Sequence, residues 1–160
     1  MIRSICVAAC LLISTPVCAQ EVADHTAQAT PNEIKAEVSA MLASMKPGQT
    51  FLWRPLLKAG PQIAALEVWR APGRPAIHSS EGEYITVVQG RGTLVTGGTL
   101  VAPRQVSPGF IDGEVIEGGT TRSLAPGDFA LIPAGVPHWF GIPGEPLVLL
   151  GIKVPTSEAR

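Results

Sequence analysis

From Phe51 onward, paired turn residues cut the chain into short runs, and that punctuation constrains the fold more than any other feature. The breaks are Gly60-Pro61, Pro72-Gly73, Gly90-Arg91-Gly92, Gly97-Gly98, Pro126-Gly127 and Pro143-Gly144. Clusters of Gly and Pro end an element rather than continue it. The runs between them read as strands: Phe51–Leu57, Gln62–Arg70, Ala76–His78, Glu83–Gln89, Gly92–Thr96, Thr120–Leu124, Asp128–Ile132 and Leu147–Val154. Many short strands with no helices between them predict an all-β sandwich or barrel. Segment 98–119 is rich in Gly and Pro and carries two apolar pairs, Leu100-Val101 and Val115-Ile116. It is expected to be a loop or an extra hairpin over one end of the barrel.

One helix precedes the strands. Thr30 can cap it, Pro31 suits its first turn, and Glu33 completes a capping box. Ile34, Val38, Met41, Leu42 and Met45 then form a single apolar stripe at helical spacing. Pro47-Gly48 ends the pattern, which predicts a helix over 31–46 packed on the outside of the main domain.

The first residues read as a secretory signal peptide. Arg3 supplies a positive start, Ile5 to Ile13 a short apolar run, and Val17-Cys18-Ala19 a small-residue cleavage site. The run is too short for a permanent membrane-spanning helix. The expected organisation is a signal peptide over 1–19, an extension over 20–49, a barrel over 50–155 and a tail over 156–160. All three cysteines (Cys6, Cys10, Cys18) fall in the removable segment, so the mature chain has no thiol for a disulfide, a metal or a nucleophilic role. That suits a periplasmic or secreted address. Arg3 is the only charge removed, which leaves 11 basic against 13 acidic residues. With no basic cluster, nothing points to nucleic acid or to an anionic membrane surface.

Two stretches carry the chemistry. His78 to Gly90 offers His78 and Glu83 at the edges of strands, and Gly127 to His138 offers His138 after a Pro and Gly turn. Two of the three histidines of the chain lie in these stretches. Two imidazoles and one carboxylate can bind a divalent ion and leave coordination positions open. Such a set is associated with non-haem Fe, and is also compatible with Mn, Zn or Ni.

These stretches resemble the two motifs of the cupin superfamily. Glu83 and Gly90 have the six-residue gap of the first motif, with His78 in the place of its second histidine. Gly127, Pro133, Gly135 and His138 match the second motif in register. The resemblance covers roughly residues 50–155. Three positions depart from it: Ala76 stands in place of the first motif histidine, Arg70 in place of the first glycine, and Ile142 in place of the closing asparagine. The fold it implies is a cupin-type double-stranded β-helix, or jelly-roll barrel, with one N-terminal α-helix. It implies His78, Glu83 and His138 as metal ligands, a small-molecule ligand or substrate, and a homodimer.

Alternation of side chains along strands gives the expected cavity wall. Ala76 shares a face with His78; Ile85, Val87 and Gln89 share one with Glu83; Phe140 and Ile142 share one with His138. The cavity is therefore predicted to be largely apolar with its polar ligands at one end. Trp53, Trp69 and Trp139 are candidates for its wall or for core packing. Two functions compete. One is a metal-dependent enzyme of oxygenase, isomerase, decarboxylase or lyase type, as the resemblance implies. The other is a small-molecule-binding barrel without metal or chemistry. Metal-free acid–base catalysis is disfavoured, because Tyr84, the only tyrosine, faces away from Glu83 by parity.

Overall fold

The computed structural model describes Asp24 and residues 26–156. The expected signal peptide lies outside the described residues, as do His25 and 157–160. The helix α1 runs Pro31–Ser44. Thr30 caps it: its Oγ1 accepts from the Glu33 amide at 3.3 Å, and the Glu33 carboxylate accepts from the Thr30 amide at 2.7 Å. The helix stops two residues short of the expected end, with Met45 already extended. Pro47 explains the stop, since it disfavours the helical conformation at the residue before it.

Among the described residues thirteen strands follow: β1 (Phe51–Ala59), β2 (Gln62–Trp69), β3 (Ala76–His78), β4 (Glu81–Gln89), β5 (Gly92–Thr96), β6 (Thr99–Leu100), β7 (Arg104–Ser107), β8 (Phe110–Asp112), β9 (Ile116–Glu117), β10 (Thr120–Leu124), β11 (Phe129–Ile132), β12 (His138–Gly141) and β13 (Leu147–Pro155). One sheet has the order β1-β2-β13-β4-β11 and the other β10-β5-β12-β3-β8-β7, with every pairing antiparallel. Pro55 sits in β1, at a sheet edge and beside a register shift, where its missing N–H breaks no inner ladder. Segment 98–119 is more ordered than a loop. β6 pairs with β9, and the β7–β8 hairpin extends the second sheet beyond β3. The four-residue β12 is absent from the strands expected from sequence, because it is short and hemmed by Pro137 and Pro143.

Two apolar layers result. Inside, Ile85, Val87, Leu94, Leu124, Phe140, Leu147 and Leu149 fill the space between the sheets. Outside, Val38 and Met41 of α1 press on Leu66, Val68 and Val148 of the first sheet. Each fully buried side chain of this size contributes about 1.5–3 kcal/mol. Arg70 ties the helix down, donating to the Leu42 carbonyl at 2.9 Å.

Candidate metal centre

Local turns bring the two motifs together. Gly90 has φ +81°, and a side chain there would collide with the Pro146 carbonyl oxygen at 2.1 Å, so only glycine closes β4 into β5. Gly135 has φ +77°, and its amide donates to the His78 carbonyl at 2.8 Å. The turn that delivers His138 is thus sewn to the strand that delivers His78. His138 lies opposite Ala76 on β3 and Thr96 on β5, while Glu83 is held on β4 between β13 and β11.

His78, Glu83 and His138 converge, with one ligand atom from each within 4.8 Å of the others. Glu83 Oε2 is 3.3 Å from His138 Nε2 and 3.6 Å from His78 Nε2. The imidazole rings stack with centroids 5.4 Å apart. Only His138 Nδ1 can carry the hydrogen in its 3.0 Å contact with the Val136 carbonyl, because a carbonyl cannot donate. In the neutral ring Nε2 then keeps its lone pair toward Glu83. Burial pushes the His78 imidazole down to about 4, helped by Lys153 and His138 against the pull of Glu83, so it is neutral at pH 7. Burial also pushes the Glu83 carboxyl up, but a hydrogen bond from His138 when that ring is protonated, the charge of Lys153 and the charge of the protonated imidazoles outweigh this, and its pKa lies below the usual range. With His138 neutral, Glu83 Oε2 is buried without a hydrogen-bond partner among the described residues.

These residues fit a divalent ion. Bonds of about 2.0–2.2 Å at octahedral or tetrahedral angles separate ligand atoms by roughly 3.0–3.5 Å, close to the two separations found here. A charged ligand oxygen with no other partner, two imidazoles able to present lone pairs, and the small Ala76 beside them match a three-ligand set with open positions.

Ala76 and Phe140 line the cavity above this cluster. Ile85 and Val87 do not line it; they are sealed in the core between the sheets, and Ile142 packs against the same cluster. Gln89 is exposed, a correction to the expected wall. The ladder is irregular there: Val148 pairs with Gln89 while Leu149 pairs with Val87, so Val88 is an extra residue that still packs on the outer layer, and Gln89 beyond it ends the strand exposed. Asp128 serves the turn, accepting from the Ala125 amide at 2.8 Å.

Two charged residues escaped the sequence reading. Glu67 is buried on β2, where its carboxylate accepts from the Trp69 indole at 3.1 Å. Burial and the nearby Glu83 charge raise its pKa against the opposing pull of Lys153, the indole and His138. Lys153 of β13 places Nζ 4.0 Å from Glu83 Oε1. Both line the cavity with the proposed ligands. A signal was present, since each is a lone charge in an apolar strand on the parity of inward residues: Ala65 and Trp69 for Glu67, Leu147 and Leu149 for Lys153.

No family model matches the chain, and no curated protein does. Solved structures do. The cupin domain of Schizosaccharomyces pombe Cnp3 is 15% identical with a TM-score of 0.50, covering 72% of this chain and 67% of that one. A putative mannose-6-phosphate isomerase from Ralstonia eutropha JMP134 is 19% identical with a TM-score of 0.50, covering 72% and 95%. Hydroquinone 1,2-dioxygenase PnpCD, solved with Cd2+ and 4-hydroxybenzonitrile, is 19% identical with a TM-score of 0.50, covering 64% and 63%. The fold is the double-stranded β-helix barrel that these structures share, the Cnp3 cupin domain among them.

Proposed function

We propose that the protein is an exported cupin that holds one divalent metal ion through His78, Glu83 and His138 and acts as an oxygenase, isomerase or lyase on a small organic molecule. The observation that carries this reading is Glu83 Oε2, buried, without a hydrogen-bond partner among the described residues, and 3.3 and 3.6 Å from two imidazole nitrogens. An unpaired buried carboxylate oxygen is costly, and a shared cation is the partner this donor set accommodates. Fe, Mn, Zn and Ni all suit it. When bound, such an ion supplies Lewis acidity toward a substrate oxygen or a position for dioxygen. The chain's own residues do the rest. The methyl of Ala76 leaves space beside the ligands, the aromatic wall offers apolar surface to the molecule that binds, and the raised Glu67 carboxyl is a group able to hold or release a proton beside the cavity.

Metal analysis by mass spectrometry tests this on protein purified without chelator or nickel resin, beside His78→Ala and His138→Ala. Near-stoichiometric metal in the wild type, lost in both variants, is expected. Absence of metal after reconstitution with each of Fe, Mn, Zn and Ni would sink the reading.

Lys153 favours one second reading. Its ammonium gives Glu83 a positive neighbour without any metal, which suits a small-molecule-binding barrel that performs no chemistry. A ligand recovered unchanged from metal-free protein would support that alternative.

Export and a homodimer complete the proposal. Cleavage after Ala19 is checked by N-terminal sequencing of the periplasmic fraction. The proposed dimer face is the outer side of the first sheet near its edge strand β11, where Phe129 and Leu131 are 67% and 52% exposed. Among the described residues no helix is long and apolar enough to cross a membrane.

A further inference from the structure

Aromatic side chains are scarce in this chain and concentrated in one place. Of four Phe, three Trp and one Tyr, six line the cavity that holds His78, Glu83 and His138: Phe51, Trp53, Trp69, Phe110, Trp139 and Phe140. The buried core between the sheets is aliphatic apart from Phe140, and of the other aromatics only Trp69 packs against it. One wall is continuous. Phe51 and Trp69 have ring centroids 4.2 Å apart, Trp69 and Phe140 5.9 Å, and Phe140 and His138 6.2 Å. On another side Phe110 stacks on His78 at 5.1 Å. At the mouth Phe51 and Trp53 remain 37% and 43% exposed, apolar surface that a bound ring would cover.

The rim adds a cation. The loop between β2 and β3 lies flat on Trp69, where a side chain at Gly73 would come within 2.7 Å of the ring. Trp139 pins that loop by donating to the Gly73 carbonyl at 2.8 Å. The loop presents Arg74 to the cavity. Arg74 Nε is 3.2 Å from Asp112, but Asp112 is already held by two bonds from Arg104, at 3.1 and 2.8 Å. Two guanidinium groups therefore share one carboxylate. Arg74, its side chain 52% exposed, can turn its fork to an incoming anion without leaving Asp112 unpaired.

We propose that the ligand is a single-ring aromatic acid, its carboxylate on Arg74 and its ring against Phe51, Trp53 and Trp69, with the ring's far side toward His78, Glu83 and His138. The cavity volume of about 260 Å³ suits this size, since an apolar cavity of roughly 150 Å³ takes up benzene. The assignment rests on the small-molecule function proposed above and names its substrate class, but the capture of the ring and carboxylate does not require the ion.

Calorimetry with benzoate, cyclohexanecarboxylate and benzamide as probes tests it on metal-free and metal-loaded protein. Benzoate is expected to bind about tenfold more tightly than its saturated counterpart, because only the flat ring makes the offset and edge contacts of an aromatic wall. Arg74→Gln is expected to weaken benzoate about tenfold and leave benzamide unchanged. Trp53→Leu, at the exposed mouth, is expected to reduce the preference for benzoate over cyclohexanecarboxylate. Equal affinity for the two acids, no binding of benzoate, or indifference to Arg74→Gln overturns the proposal. Metal content, measured separately, reports on the metal reading. Protein that takes up no ion yet still selects benzoate keeps this proposal and loses that one.

Discussion

Lys153 and Glu83 stand at the same register on neighbouring strands, with Nζ 4.0 Å from Oε1. The ammonium lies near the carboxylate proposed to hold a dication. It stabilises the charge of Glu83 when no metal is bound, and it repels any ion that arrives. Lys153→Met is therefore expected to tighten metal binding by about three- to tenfold, with the effect limited because the side chain is one-third exposed and salt screens it. The same substitution should make the metal-free protein less stable. A competition titration against a chromogenic chelator reads the first effect and thermal unfolding the second. Unchanged affinity would place Lys153 outside the electrostatics of the site.

Ala76 and His138 face each other across β3 and β12. Directly opposed side chains have Cβ atoms about 4.5–5.5 Å apart, within reach of a shared ion. Ala76→His should bring a fourth ligand to the cluster in the position where the cupin motif has a histidine. Metal affinity is expected to rise by at least tenfold, with small-molecule access reduced as an open position fills. The same chelator competition measures it. A fall in affinity would mean that the backbone of β3 does not direct this position at the ligands.

The barrel was legible because its cues are local. Turn chemistry at pairs such as Gly90-Arg91-Gly92 marks strand ends whatever packs around them, and Glu83 and His138 stand at fixed distances from such turns. The cavity wall was less legible because parity arguments assume an unbroken ladder. The ladder breaks at Val88, and Gln89 beyond it is exposed at the end of β4. Depth was also hidden. Ile85 and Val87 have the parity of Glu83, yet they lie far enough along β4 to be sealed beneath the cavity. Glu67 and Lys153 were missed for a different reason: their strands read as plain core, and only the pairing of β2, β13 and β4 brings their charges to Glu83.

Acid should unfold the metal-free protein earlier than its carboxylates alone would cause. His78 titrates at its ordinary value of 6.5 when unfolded but near 4 when folded. Between those values the unfolded chain holds a proton that the folded chain does not, so stability falls as pH drops from about 6.5 to about 4. Glu67 works in the opposite sense, since its raised pKa means that protonation relieves the cost of burying its charge. Glu83, with its lowered pKa, adds a loss only below its ordinary 4.5. Comparison with His78→Gln isolates the imidazole. The wild-type Tm should fall more steeply than the variant's between pH 6.5 and 4.5, each kilocalorie lost lowering it by about 4 °C. Parallel pH profiles would show that His78 is not buried neutral.

One part of the first sheet's outer face is covered by α1, and the rest is bare. Tyr84, Phe129, Leu131, Ile152 and Val154 lie on the bare part, on β4, β11 and β13, with Phe129 opposite Thr86 and Leu131 opposite Tyr84. β11 is also the last strand of that sheet, so its outer backbone groups have no ladder partner among the described residues. An apolar face continuous with an open edge suits pairing with the same face of a second copy, because a two-fold interface brings identical patches together. Phe129→Glu together with Leu131→Lys should convert a dimer to a monomer in light scattering after size exclusion. Both side chains are exposed and outside the cavity, so metal content and Tm at low protein concentration should change little. A wild-type mass of one chain at every concentration tested would rule the interface out.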